Sequence, residues 1–344
     1  MESAPENPPA NILGAGVDEE AVAAAVKLSG YPLQTVVGRA LNRQFGVQEE
    51  WSYIDSDTHE QRTIDIHAGH ALYDFHSGSA QLRVRPALDL LIECKQSALP
   101  YVFFLSDSTP RLTEFPTVAG LAGDHISIST DDSASTWTFG ILDALGLTSH
   151  RFLTQPKYSS TFSKCVRKGG DIVLSGSESY SSLVLPLLKA VAHFYETAHP
   201  PSTAAYFDAH LVIGVGVLDA PMIGVHVQQD NSAKLVLLPW VRVLRHESLE
   251  GKHPFERSRL RALDVVHRDY LSAYVENAVI PFANDFAAVA QKNHVPIADA
   301  EAFVSGMAND SHRDIVARLE PKTVKRKLNR GAAIVRRVLG EDQD

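Results

Sequence analysis

The chain has 344 residues, enough for one large domain or two modest ones, and 44% apolar content, which is ordinary for a folded protein. A formal net charge of −9 excludes a surface that coats nucleic acid everywhere and confines any polyanion site to a local patch. The two cysteines, Cys94 and Cys165, match neither a disulfide framework nor a zinc-binding set, which points to a reducing, cytoplasmic compartment. No apolar run approaches the ~20 residues of a membrane span, since Leu211–Leu218 stops at Asp219, so no membrane partner is expected.

Residues 1–29 read as a loose leader followed by a short helix through Leu28, with Asp18, Glu19 and Glu20 suited to its first turn. Pro32 fits the first turn of a better helix, whose apolar stripe is Leu33, Val36, Val37, Leu41 and Phe45 and whose stop is Gly46. From Trp51 the period changes to two. The turn composition of residues 55–59 joins Trp51–Ile54 to Arg62–Ala68, and strands follow at Leu88–Cys94 and Tyr101–Leu105.

Between about residues 106 and 170 the pattern weakens into Ser, Thr, Asp and Pro, which reads as an elaborated insertion. Helical spacing returns over Ser179–Ala198, with Pro186 an irregularity near its start. Strands at Ala209–Leu218, Met222–Val227 and Lys234–Leu244 then close the sheet, so the α/β domain spans 30–250. Residues 251–344 read as helical, interrupted at Pro281, Pro296 and Pro321. The last helix carries Lys322, Lys325, Arg326, Lys327 and Arg330. Basic clustering of this kind fits a solvated helix and a phosphate-contacting one equally.

Two short strands organise the rest. In Gln61–Ala68, Thr63, Asp65 and His67 share one face and Ile64 and Ile66 the other; in Leu90–Gln96, Glu93 and Lys95 share a face opposite Ile92 and Cys94. Pairing the ionic faces brings Asp65, Glu93 and Lys95 together at a sheet edge with an apolar back. Glu-x-Lys occurs three times, but only Glu93-Cys-Lys95 follows an apolar strand and has an Ile-Asp-Ile strand upstream to supply a partner carboxylate. His67, His70 and His76 with Asp74 lack metal-ligand spacing and read as turn or solvated histidines, with His67 set apart because it shares the face of Asp65. Gly14-Ala-Gly16 and Gly214-Val-Gly216 lack the remainder of a nucleotide fingerprint.

The order helix, hairpin, third strand, helix and further strands resembles the PD-(D/E)XK nuclease superfamily. The residues that carry the resemblance are Gly30-Tyr-Pro-Leu33 opening a helix, Arg62-Thr-Ile-Asp65-Ile, and Leu91-Ile-Glu93-Cys-Lys95-Gln96-Ser97. It covers roughly Gly30 to Phe104, with continuation through Ser179–Leu244. The resemblance implies an α/β fold with a restriction-endonuclease-like core, a mixed central sheet flanked by helices. It implies hydrolysis of phosphodiester bonds in nucleic acid, with DNA the expected substrate and Mg²⁺ or Mn²⁺ the cofactor.

In that reading Asp65 and Glu93 hold the metal with a main-chain carbonyl at Cys94, Lys95 orients or activates the attacking water, and Gln96 is auxiliary. The family often carries an acidic residue on the first core helix. Here Gln34 stands at that position, a weaker ligand for a hard cation, with Glu49 and Glu50 as candidates to compensate. Cleavage of both strands of a duplex would favour a symmetric homodimer. Two alternatives stay open: a catalytically impaired nuclease-fold binding or scaffold protein working in a complex, and a hydrolase of small nucleotides.

Overall fold

The computed structural model describes residues 6–74, 82–130, 136–248, 258–304 and 319–320. The basic segment that carries Lys322, Lys325, Arg326, Lys327 and Arg330 lies outside the described residues, as does His76.

Helix α1 (Glu19–Leu28) is capped by Asp18, whose carboxylate accepts the Ala21 N–H at 2.6 Å, and none of its residues is buried. Helix α2 (Tyr31–Leu41) has Pro32 in its first turn and buries Leu33, Gln34, Val37 and Leu41, while Val36 faces solvent. It ends before Gly46, which already opens strand β1 (Gly46–Ile54). Strand β2 (Gln61–Ala71) returns from the turn at residues 55–60, and β3 (Val84–Gln96) and β4 (Tyr101–Ser106) follow.

The stretch expected as an insertion holds β5 (Thr117–Ala119), β6 (His125–Thr130), β7 (Thr136–Gly140), α3 (Ile141–Ala144), α4 (Arg151–Thr154) and β8 (Tyr158–Lys168). β8 is a full member of the central sheet, between the strand of residues 240–248 and β4. Next come β9 (Asp171–Ser175), α5 (Gly176–Ser179), a π turn at Tyr180–Val184 and α6 (Leu185–Thr197). The irregularity expected near Pro186 is this π turn. Strands β10 (Phe207–Asp219) and β11 (Met222–Val227) agree with the sequence reading.

The single strand expected over Lys234–Leu244 is two, β12 (Ala233–Leu237) and β13 (Trp240–Ser248), because Pro239 removes a ladder donor between them. The segment after Pro254 is not uniformly helical: Ser258–His267 forms β14. Helix α7 (Leu271–Tyr274), a π turn at Val275–Val279, α8 (Ile280–Lys292) and α9 (His294–Asp299) follow, then β15 (Glu301–Val304). Pro281 does not break α8; it occupies the first turn, where the missing N–H costs nothing.

The described strands make one large mixed sheet in the order β1-β2-β3-β10-β14-β13-β8-β4-β11-β12, with β5 on β10 and β9 on β8; β15, β6 and β7 form a second, small sheet. β3 and β10 run parallel and pair from Val84↔Phe207 to Gln96↔Asp219, and β14 continues parallel on β10. This parallel trio is mostly apolar on both faces because helices cover both, with Asp89, Glu93 and Asp264 the buried carboxyls within it. Helix α6 packs on one face; α2 and α8 pack on the other, with Leu33, Val37, Phe282 and Phe286 against Leu90, Ile92 and Ile213. Gly216 sets the approach of the α6 layer: a Cβ there would fall 2.8 Å from Leu183, which occupies its place. The Gly214-Val-Gly216 run is therefore a packing feature.

A buried ion pair ties the sheet to the α7 layer. Arg242 and Asp264, opposite each other on β13 and β14, are fully buried and joined bidentately at 2.7 and 2.8 Å. The Tyr274 hydroxyl donates to Asp264 at 2.7 Å, and the Arg242 guanidinium lies over the rings of Phe115 and Phe152, 4.4 Å from each centroid.

Candidate functional site

Strands β1 and β2 keep one register throughout, from Gly46↔Gly69 to Ile54↔Gln61, but the ladder skips the pair Glu50 and Asp65. Glu50 has φ of 53°, the left-handed region that costs a non-glycine residue energy, so its backbone cannot face Asp65 as a sheet partner. The pleat is disrupted there. Trp51, paired with Ile64, and Tyr53 lie beside His193 and Phe194 on the α6 face. Glu49, paired with Ile66, lies against Gly38 of α2, with 2.7 Å between its Oε1 and the place a Cβ at 38 would take. Ile64 and Ile66 therefore pack in different layers of core, not on one face as the strict alternation implied.

The same break ends the pairing of β2 with β3. Their ladder stops at Ile66↔Ile92, and one step further Asp65 would face Glu93. In place of a main-chain bond, the Asp65 carboxylate accepts the Cys94 N–H at 2.6 Å. The carbonyl of Asp65 is taken by Gln34, whose amide Nε2 donates to it at 3.0 Å across from α2. Gln34 is thus buried and acts as a hydrogen-bond donor to the site backbone. The carbonyl of Cys94 points to the same side of β3 as its N–H, toward β2. The Cys94 thiol is buried in the core, where burial pushes its ionisation far up and rules it out as a nucleophile.

Glu93 is the most perturbed carboxyl here. It is 7% exposed, and burial pushes its pKa up to about 7; the Lys95 ammonium opposes the shift and the Asp65 carboxylate adds to it. Lys95 Nζ donates to Glu93 Oε1 at 2.6 Å, while Glu93 Oε2 is buried without a hydrogen-bond partner. Burial also raises the pKa of Asp65, against the Cys94 N–H and Lys95, and the nearby Glu50 charge adds to the rise. Asp65, Glu93 and Lys95 therefore converge as the sequence pattern implied. Gln96 closes β3 at an exposed position, beside Asp219 of β10. Among the described residues no group of three or more His, Cys, Asp or Glu side chains stands together in a metal-holding arrangement.

His67 does not join this cluster. Its Nε2 bonds Asp89 Oδ1 at 2.8 Å, and His210 Nδ1 bonds Asp89 Oδ2 at 2.7 Å, beneath the Phe194 ring. Asp89 is 4% exposed; burial would raise its pKa, but the two histidine bonds win and lower it. This trio escaped the sequence reading because its members come from three strands. The one signal was a charged residue inside the apolar run Leu88–Ile92, since a buried carboxylate requires partners.

Comparison with protein-family models, with curated proteins and with solved structures finds no match to this chain. No described helix is long and apolar enough to cross a membrane.

Proposed function

We propose that the protein is a metal-dependent nuclease with a restriction-endonuclease-like core, hydrolysing phosphodiester bonds in nucleic acid, with DNA the preferred substrate. The observation that carries this reading is the meeting of the Asp65 and Glu93 carboxyls with the Lys95 ammonium at a break in the β2–β3 ladder. Two carboxyls are rarely held together inside a protein, because burial and each other's charge raise their ionisation cost. Glu93 bears that cost, chiefly through burial with Asp65 adding to it, and its buried Oε2 is left unpaired.

An orphaned carboxylate oxygen of this kind fits a hard divalent cation, and so does the donor set: Asp65, Glu93 and the Cys94 carbonyl, all oxygen. Mg²⁺ keeps several waters and needs only one or two carboxylates beside a substrate phosphate, so Asp65 and Glu93 suffice for it. When bound, such a cation supplies a water acidic enough to attack near neutral pH and shields charge on the phosphoryl oxygens. Within the chain, the Cys94 N–H fixes the Asp65 carboxylate and Gln34 fixes the Asp65 backbone behind it. Lys95, 31% exposed at its side chain, reaches out from Glu93 to orient the attacking water and offset negative charge as it builds. The test is metal-dependent nicking of supercoiled plasmid by wild type and its loss in Asp65→Ala and Lys95→Ala.

One observation favours a second reading, a nuclease-fold scaffold impaired in metal binding. The Gln34 Nε2 donates to the Asp65 carbonyl, and a neutral amide stands where a further carboxylate ligand would. A scaffold would leave plasmid intact at all Mg²⁺ and Mn²⁺ concentrations and would co-purify with a protein partner.

A further inference from the structure

Strands β3, β10 and β14 end side by side at Gln96, Asp219 and His267, and ligands of α/β sheets bind outside the carboxyl ends of parallel strands. A cleft of about 790 Å³ opens there, within the usual size of a small-molecule site. Ser97, two residues beyond Lys95, forms part of its wall, so the cleft continues directly from the candidate catalytic strand.

We propose that this cleft seats a nucleobase of the substrate, next to the phosphate addressed by Lys95. The inference rests on the nuclease reading and adds to it the part of the nucleotide that the cleft recognises. Its lining includes the apolar groups Met222, Leu237 and Leu238 and the Tyr270 ring, surfaces against which a planar ring can pack. Its charged and ring-nitrogen groups are Asp219, Asp269 and His267, beside the hydroxyls of Ser97 and Tyr270. Two carboxylates repel a phosphate and accept hydrogen bonds from amino groups.

His267 Nδ1 accepts the Asp269 N–H at 3.3 Å, and in the tautomer this bond requires, Nε2 carries the ring proton. The cleft therefore offers an N–H donor close to carboxylate acceptors. That is the complement of an amino group next to a ring nitrogen, the edge that adenine and cytosine present. Arg268 holds Asp219 at 2.9 Å and Asp269 at 3.3 Å, which fixes both carboxylates in place without closing the cleft. A neutral base in the cleft with its phosphate directed toward Lys95 satisfies both ends.

Equilibrium dialysis of the full chain with adenosine 5′-monophosphate and with ribose 5-phosphate tests this directly, without reliance on turnover. Wild type is expected to bind the nucleotide and to bind the base-free sugar phosphate about tenfold or more weakly. Ala98→Phe, a bulky group added at an exposed position of the cleft wall, and Asp269→Ala, a change at an exposed side chain that leaves the fold intact, are each expected to weaken nucleotide binding. Equal binding of the two ligands, no nucleotide binding, or binding untouched by Asp269→Ala overturns the proposal. Plasmid cleavage measured alongside separates the two claims: cleavage without nucleotide binding sinks the base site and spares the nuclease reading. Cleft-dependent nucleotide binding without cleavage does the reverse.

Discussion

The Asp65 carboxylate accepts the Cys94 main-chain N–H at 2.6 Å, so a side chain takes the place of a sheet bond where β2 leaves β3. That bond gives Asp65 two roles, in the fold and in charge. Asp65→Asn keeps an oxygen acceptor and is expected to fold, with cleavage lost because the charge is gone. Asp65→Ala leaves the Cys94 N–H unpaired and is expected to lower stability by about 1–3 kcal/mol. Urea denaturation of the two variants separates the roles; equal stabilities would show that the bond contributes nothing.

Glu93 gives the fold a pH dependence. Its pKa lies near 4.5 when exposed and about 7 in the folded chain, chiefly through burial. The folded state thus binds more protons than the unfolded state between those values, and stability falls as pH rises across the window. The penalty is absent below pH 4.5 and complete above pH 7. Glu93→Gln, measured by thermal melting in EDTA, is expected to be more stable than wild type at pH 8 by up to ~3 kcal/mol, with the gain vanishing near pH 4. A gain independent of pH would contradict this origin.

Gln34 donates to the Asp65 carbonyl at 3.0 Å, so an acidic residue at 34 would set a carboxylate against that oxygen. Gln34→Glu is expected to cost about 1–3 kcal/mol at neutral pH, with recovery on acidification, and to bring no tighter Mn²⁺ binding by calorimetry. Tighter Mn²⁺ binding would show that position 34 does turn toward the metal.

Arg242 and Asp264 are fully buried partners at the centre of the sheet. Arg242→Met leaves a buried carboxylate with the Tyr274 hydroxyl alone and is expected to destabilise by about 3–5 kcal/mol. The double variant Arg242→Met with Asp264→Leu should recover most of that loss, since no charge stays uncompensated. Chemical denaturation of both variants checks this, and failure of the double variant to recover would show the charges to be needed for the fold itself.

The site was legible where local period governs the fold. Within β2 and β3, residues 63–67 and 90–96 carry ionic residues at alternate positions, and that pattern pointed to Asp65, Glu93 and Lys95, while the ladder break beside Glu50 sets how Asp65 meets β3. The flip of Ile64 was not legible, because Glu50 holds a left-handed backbone without the glycine that usually signals one. β14 was missed for a related reason: Arg261 and Asp264 interrupt its apolar run, and only the third dimension supplies Glu247 and Arg242 as their partners. The same holds for Asp89 with His67 and His210. A charge inside an apolar strand announces that a partner exists without saying where in the chain it is.

The central claim is that Asp65, Glu93 and Lys95 hydrolyse nucleic acid as a unit, and the most direct measurement is conversion of supercoiled plasmid by purified protein with Mg²⁺ or Mn²⁺. Nicked or linear product is expected from wild type, none in EDTA, and a loss of at least about a hundredfold in rate in both Asp65→Ala and Lys95→Ala, because groups acting together fail together. Inert wild type, or variants that cut as fast as wild type, would contradict that claim and leave the scaffold reading in front.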